Sequence, residues 1–319
     1  ANTARVKLAP EAPLPVWAGC VRPNTSREDW MSNSFPATIA ARDGTKLITH
    51  HWPLPAGAAS QGVILLVHGH GEHVRRYAHV AAHLNQLGWS VVGYDHRGHG
   101  LSEGQRGGLT QPDDYLYDLA QMIDTTRAAY PGQKLVLLSH SLGGLIAARF
   151  VAATAKPAES APWTRPVDGL ILSSPALLLN INAIQKFLLN TVAKWLPDFA
   201  VPSGLKADWV SNDPNEVKKY LADPNVHDRI TGKTSRFMID AGELVRQRAA
   251  NWTVPTLPLW AGSDKCVAPA GSAEFSAKAP KNLVTSQPFA HMAHEIFNEP
   301  DREKAMAPLG PWLKQVFGT

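Results

Sequence analysis

Short apolar runs separated by segments of helical period constrain this chain more than any single residue does. Residues 63–67, 90–94, 135–138 and 169–172 are almost wholly apolar, while 77–87, 114–129 and 142–153 between them carry helical patterns. A strand that is apolar on both faces has to be covered on both faces, and strands joined through helices run parallel. The rhythm therefore predicts an α/β fold: a mostly parallel central sheet with helices on both sides.

The pattern is framed and interrupted. Ahead of it, "SFPATIAARDGTKLITHHW" reads as two strands around the Asp43-Gly44 turn signal, a hairpin. Between about 176 and 249 helical segments follow one another with no convincing strand, and Ile181, Ile184, Leu188, Val192 and Trp195 form one apolar stripe at intervals of three and four. The alternation resumes with a strand at 256–261, a helix near 271–277, a strand at 282–287 and a closing helix at 301–317. These features divide the chain into a proline-rich arm (1–34), a first core part (35–175), a helical cap (176–249) and a second core part (250–319). There is no internal repeat.

Composition narrows the class. With 319 residues, 44% hydrophobic and 18% charged, the chain can bury a sizeable core and is not disordered on the large scale. No apolar run approaches the ~20 residues that span a bilayer. The balance of 31 basic against 27 acidic residues gives +4, and the basic residues are scattered, which argues against nucleic acid as a partner. Cys20 and Cys266 are too few for a disulfide framework and read either as two unrelated thiols or as one bridge. A start at Ala1 with a proline-rich arm leans towards an exported, periplasmic protein and leaves a cytoplasmic one open.

The chemistry concentrates in four places. In "LVLLSHSLGGLIAARF" an apolar strand runs into Ser139-His140-Ser141-Leu142-Gly143 and then a helix, nearly the G-x-S-x-G nucleophile elbow, with Ser139 where glycine is usual. The plain alternative is a serine N-cap. A serine nucleophile needs a base, and the base needs a carboxylate to orient it. "PLWAGSDKCVAP" offers Asp264 just after a strand, preferred over Asp228 and Asp240 in the insertion, and "FAHMAHEIFNEP" offers His291 and His294. Finally, "VILLVHGHGEHVRRY" admits two readings. Gly69 and Gly71 allow a tight turn that presents bare N–H groups to a developing negative charge. Alternatively, His68-x-His70-x-Glu72-His73 imitates the HxHxDH zinc signature of the metallo-β-lactamase fold. Glutamate stands there in place of aspartate, and no later histidines complete a ligand set.

Taken in order, "HGHGEHVRRY", "YDHRGHGLSEG", "SHSLGG", "GSDKCVAP" and "HEIFNE" resemble the monoacylglycerol lipase and lysophospholipase branch of the α/β-hydrolases over about residues 35–317. The resemblance implies an α/β-hydrolase fold with a helical cap, and it extends to the cap segment "DPNEVKKYLADPNVHDRIT". Its His-Glu-x-x-Asn-Glu pattern falls on His294, Glu295, Asn298 and Glu299, which makes His294 and not His291 the base beside Ser141 and Asp264. It also implies that the N–H groups of His70 and Leu142 face the oxyanion, with His68, Glu72 and His73 bracing the loop. A histidine at position 70 departs from the smaller or apolar residue expected there.

The expected activity is serine-dependent hydrolysis of single-chain acyl esters of the monoacylglycerol or lysophospholipid type, without metal or organic cofactor. Lipid-surface contact through the cap is a further expectation. With the same residues the chain could instead act on aryl, phthalate-like or polyester substrates, or as a lactonase or acyltransferase. From other classes, a metal-dependent hydrolase and a silent binding protein are the rivals. In "YDHRGHG", His96 and His99 read as parts of a loop braced by Asp95 and Arg97 rather than as a phosphate site.

Overall fold

The computed structural model describes residues 35–154, 161–181, 191 and 194–318. The proline-rich arm with Cys20 lies outside the described residues, as do Ile184, Leu188 and Val192 of the apolar stripe.

The elements, in order, are β1 (Thr38–Ala40), β2 (Lys46–Trp52), β3 (Gly62–Val67), α1 (Ala78–Gln86), β4 (Trp89–Tyr94), α2 (Asp114–Ala129), β5 (Leu135–His140), α3 (Ser141–Thr154) and β6 (Gly169–Ser173). An insertion follows with β7 (Ala200–Pro202), α4 (Pro214–Ala222), β8 (Arg229–Thr231) and α5 (Gly232–Arg248). The core then resumes with β9 (Thr256–Ala261), α6 (Pro269–Lys278), β10 (Gln287–Phe289), α7 (Arg302–Met306) and α8 (Leu309–Phe317). Eight strands form one sheet in the order β1-β2-β4-β3-β5-β6-β9-β10. β1 and β2 pair antiparallel, as does β2 with β4, and the remaining pairs are parallel. The expected α/β-hydrolase architecture is therefore present.

Alternation along the central strands shows why their sequences are apolar throughout. Val63, Leu65 and Val67 of β3, with Leu135 and Leu137 of β5, face a core completed by Leu145, Phe150 and Phe237. The intervening Ile64, Leu66, Val136 and Leu138 face the opposite core with Val80, Leu84 and Trp312. A one-residue slip in register would leave both faces occupied by apolar side chains, so the parallel pairing and the helix packing set the register here.

Strand order also places the site. From β3 the chain moves to β4 on one side and then crosses back to β5 on the other. The loops that leave β3 and β5 therefore diverge at a topological switch point, where α/β sheets open a crevice at the carboxyl ends of their strands.

Three expectations need correction. The insertion is not wholly helical: β7 and β8 pair antiparallel, Val201 opposite Ile230, in strands of three residues that are too short to show a period in the sequence. The strand expected at 282–287 lies at Gln287–Phe289, because the Pro280 carbonyl accepts from the N–H groups of Leu283 and Val284 and turns the chain there. Proline in this strand is tolerated because β10 is at the sheet edge. The closing helix is two helices, α7 and α8, broken at Ala307-Pro308, where proline cannot continue the hydrogen-bond ladder of the preceding turn. No helix among the described residues is long and apolar enough to cross a membrane.

Candidate active site

Ser141 is the hinge between β5 and α3, with a backbone φ of +50°, in the left-handed region that a non-glycine residue adopts at a cost of order 1–3 kcal/mol. The turn explains its neighbours. A Cβ on Gly143 would collide with the carbonyls of Val67 and His68, so only glycine fits two residues after the serine. Ser139, two residues before, is fully buried, and its hydroxyl donates to the Ile171 carbonyl at 3.1 Å, so serine is accommodated where glycine was expected.

Three of the singled-out side chains meet. His294 Nε2 lies 2.8 Å from Ser141 Oγ, and His294 Nδ1 lies 2.6 Å from Asp264 Oδ2. The other carboxylate oxygen of Asp264 accepts the N–H groups of Cys266 (2.8 Å) and Val267 (3.0 Å), which fixes the orientation of the carboxylate. Burial alone would lower the pKa of His294, but the charge of Asp264 and its hydrogen bond override this and hold the imidazole above the ordinary histidine value. His291 is exposed, Asp228 is solvated and Asp240 pairs with Arg236 on the surface, so none of these three joins the group.

His70 lines the same cavity as Ser141, His140 and His294, and Leu142 is the residue after the serine at the start of α3. The first amides of a helix have no intrahelical acceptor, so a donor is available there. The histidines and glutamate around His70 serve separate partners. His68 bonds the Gly69 carbonyl through Nδ1 (2.8 Å) and accepts the His96 N–H through Nε2 (2.9 Å). His73 Nε2 meets Asp223 Oδ2 at 2.8 Å. These atoms do not gather about one point. Among the described residues the set of potential ligand atoms that does so is Asp264, Cys266 and His294, and there the carboxylate and imidazole are already bonded to each other. Asp95 and Arg97 brace their loop as expected: Asp95 accepts from the N–H groups of Val74 and Leu101, and Arg97 bonds Asp43, Asp114 and Asp118.

Two features carried no assigned role in the sequence. The His140 ring, held neutral by burial with its pKa down at about 3, packs 4.7 Å from the His294 ring and bonds Ser173 Oγ. Arg76 bonds Glu295 through both terminal nitrogens (2.6 and 2.7 Å) and Glu72 through one (2.7 Å). Glu72 in turn accepts the Gly69 N–H at 2.7 Å and the Tyr77 hydroxyl at 2.6 Å. One buried network thus joins the loop carrying His70 to the residue after His294. Glu299 adds a second tie, accepting from Ala293 N–H in the His294 loop and from Ser211 and Asn212 in the insertion. The motif residues Glu72, Arg76, Glu295 and Glu299 were visible in the sequence, but their mutual contacts join positions more than two hundred residues apart (Arg76 with Glu295) or near ninety (Asn212 with Glu299).

Residues 58–301 match the family model for serine aminopeptidase, S33. The chain belongs to the serine aminopeptidase S33 family of hydrolases. The chain is 30% identical over 279 residues to a monoacylglycerol lipase of Mycolicibacterium smegmatis, covering 86% of this chain and 95% of that protein. It is 28% identical over 248 residues to phospholipase YtpA of Bacillus subtilis, covering 76% of this chain and 90% of that protein. The crystal structure of the Paleococcus ferrophilus monoacylglycerol lipase superposes with a TM-score of 0.73 at 30% identity, covering 85% of this chain and 99% of that one. These relatives bear out the likeness to the monoacylglycerol lipase branch drawn from the motifs.

Proposed function

We propose that the chain is a serine-dependent carboxylic ester hydrolase for single-chain acyl esters of the monoacylglycerol or lysophospholipid type. The hydrogen-bonded series Ser141, His294, Asp264 carries this reading, and the similarity to a monoacylglycerol lipase and a phospholipase supports its substrate class. Ser141 attacks the acyl carbon while His294 takes its proton, and Asp264 holds His294 in the tautomer that leaves Nε2 free to accept. The N–H groups of His70 and Leu142 stabilise the oxyanion; His294 returns the proton to the departing alcohol, and water discharges the acyl-enzyme by the same steps.

The insertion serves as a cap. Leu205, Lys206, Val210 and Tyr220 line the Ser141 cavity from above, with Cys266 as a neutral thiol whose pKa burial pushes up. The insertion also exposes Trp195 (73%), Leu196, Phe199 and Leu221 to solvent, with the Lys194 ammonium 5.6 Å from the Trp195 ring. Apolar side chains flanked by a cation suit peripheral contact with a lipid surface.

A panel of esters graded by acyl length and alcohol group, with the matching amides, tests the reading. Wild type is expected to prefer glyceryl esters of single long acyl chains, and Ser141→Ala to lose about 10⁴-fold or more on every substrate. Activity that persists in the alanine variant, or that favours aryl esters or amides over glyceryl esters, would contradict it.

A further inference from the structure

The loop that carries His70 is held from both sides. On the core side the Gly69 N–H is bonded to Glu72 at 2.7 Å. On the other side the insertion closes on it: the His227 N–H donates to the Gly71 carbonyl at 2.8 Å. Gly71 has a φ of +75°, and a Cβ there would collide with the His227 carbonyl, so the two backbones touch directly. Two residues on, the Arg229 carbonyl lies against Gly107 in the same manner, and the Thr231 N–H donates to the Gly107 carbonyl at 3.2 Å.

Side chains repeat the grip. The rings of His70, His99 of the loop after β4 and His227 of the insertion form a triangle, with His70 5.4 Å from His99 and 5.6 Å from His227, and those two 4.6 Å apart. Each flanking ring is itself fixed, His99 Nδ1 by the Arg97 carbonyl (2.9 Å) and His227 Nδ1 by the Arg229 N–H (3.1 Å). The His70 ring has no such anchor. Both its nitrogens are buried without a hydrogen-bond partner, although the Arg229 carbonyl is close enough to favour the protonated ring. Edge contacts with the paired rings of His99 and His227 hold this ring in place.

We infer that His227 is a positioning residue for catalysis: through its contact with His70 and Gly71, closure of the insertion sets the peptide that presents the His70 N–H to the oxyanion. The inference rests on the reading of His70 as an oxyanion donor and extends it, because the cap then completes the hole as well as covering the cavity. The Gly69–His70 peptide, which carries this N–H, follows a glycine with no side chain of its own to limit rotation, and Gly71 beyond it is held in a left-handed conformation. The His227 N–H bond to Gly71 survives loss of the ring, so what the ring adds is packing against the His70 side chain and, through it, against that peptide.

His227→Ala and His227→Phe test this with a short soluble nitrophenyl ester, a boronic acid that forms a tetrahedral adduct on serine, and thermal melting. The alanine variant should lose about 10- to 100-fold in kcat, less than the ~10²–10³ for outright loss of a donor, with KM within about threefold. Its boronate affinity should fall by the same factor, and phenylalanine, which restores the packing, should recover kcat to within about threefold. If the alanine variant does not fold, His227→Asn carries the same test. A loss confined to KM, a kcat within twofold of wild type, or a phenylalanine variant as slow as alanine would overturn the inference. Wild type that fails to form the boronate adduct would instead sink the hydrolase reading beneath it.

Discussion

Asp264→Asn is expected to lower kcat about 10⁴-fold without unfolding the chain. The reason lies in how Asp264 is held. One carboxylate oxygen accepts the N–H groups of Cys266 and Val267, so the amide oxygen of asparagine would stay on that side and its NH₂ would turn towards His294. Nδ1 would then have to accept rather than donate, and the proton would move to Nε2, which faces Ser141 at 2.8 Å. A base with its proton already in place cannot take another. The pH profile should move as well. Activity requires neutral His294, and burial lowers the pKa of this ring while the Asp264 charge and hydrogen bond raise it further, so in wild type kcat/KM should rise with pH through a value above the ordinary ~6.5 of histidine. Removing the charge should shift that acid limb downwards. Profiles of both proteins from about pH 5 to 9 decide it; a variant within tenfold of wild type, or an acid limb shifted upwards, would contradict the role given to Asp264.

Arg76→Met should cost about 3–5 kcal/mol of folding stability, the range for breaking a buried ion pair by removing one partner. Such a loss is a large part of the ~5–15 kcal/mol that holds a domain together. Glu72 and Glu295 are both almost fully buried and both bonded to this guanidinium. Burial already pushes the Glu72 carboxyl up; it would raise Glu295 too, but Arg76 reverses this and holds Glu295 down. Without the cation two carboxyl groups would share a dry site with one charge to lose. Urea unfolding measures the cost, and adding Glu295→Gln to Arg76→Met should recover part of it. A change below about 1 kcal/mol, or no recovery in the double variant, would show that the network is not a strut between the His70 loop and the His294 loop.

How far the sequence could be read depended on the range of the interaction. The parallel strands β3, β4, β5, β6 and β9 were legible because burial on both faces leaves an unbroken apolar run, and Ser141 because the elbow is a local motif with local steric demands. Asp264 could be preferred from its place after a strand, whereas the choice between His291 and His294 needed the likeness to a known family: both lie in one loop, and only the fold turns one of them inward. The three-residue strands β7 and β8 were illegible, since three residues cannot show a period, and so was the break before α8, where one proline interrupts an otherwise continuous pattern. Contacts such as His227 on Gly71 join residues more than a hundred and fifty positions apart by backbone atoms alone, and no side-chain pattern records them.

The claim on which the rest depends is that the Ser141 hydroxyl is the nucleophile, and its most direct test is the mass and position of the adduct left by a fluorophosphonate. Wild type should gain one phosphonyl group, located by peptide mapping on the segment containing Ser141, at a rate unaffected by a chelator; Ser141→Ala should gain none and His294→Ala should react far more slowly. Ester hydrolysis that continues while Ser141 stays unlabelled, or that stops when a chelator is added, would contradict the account.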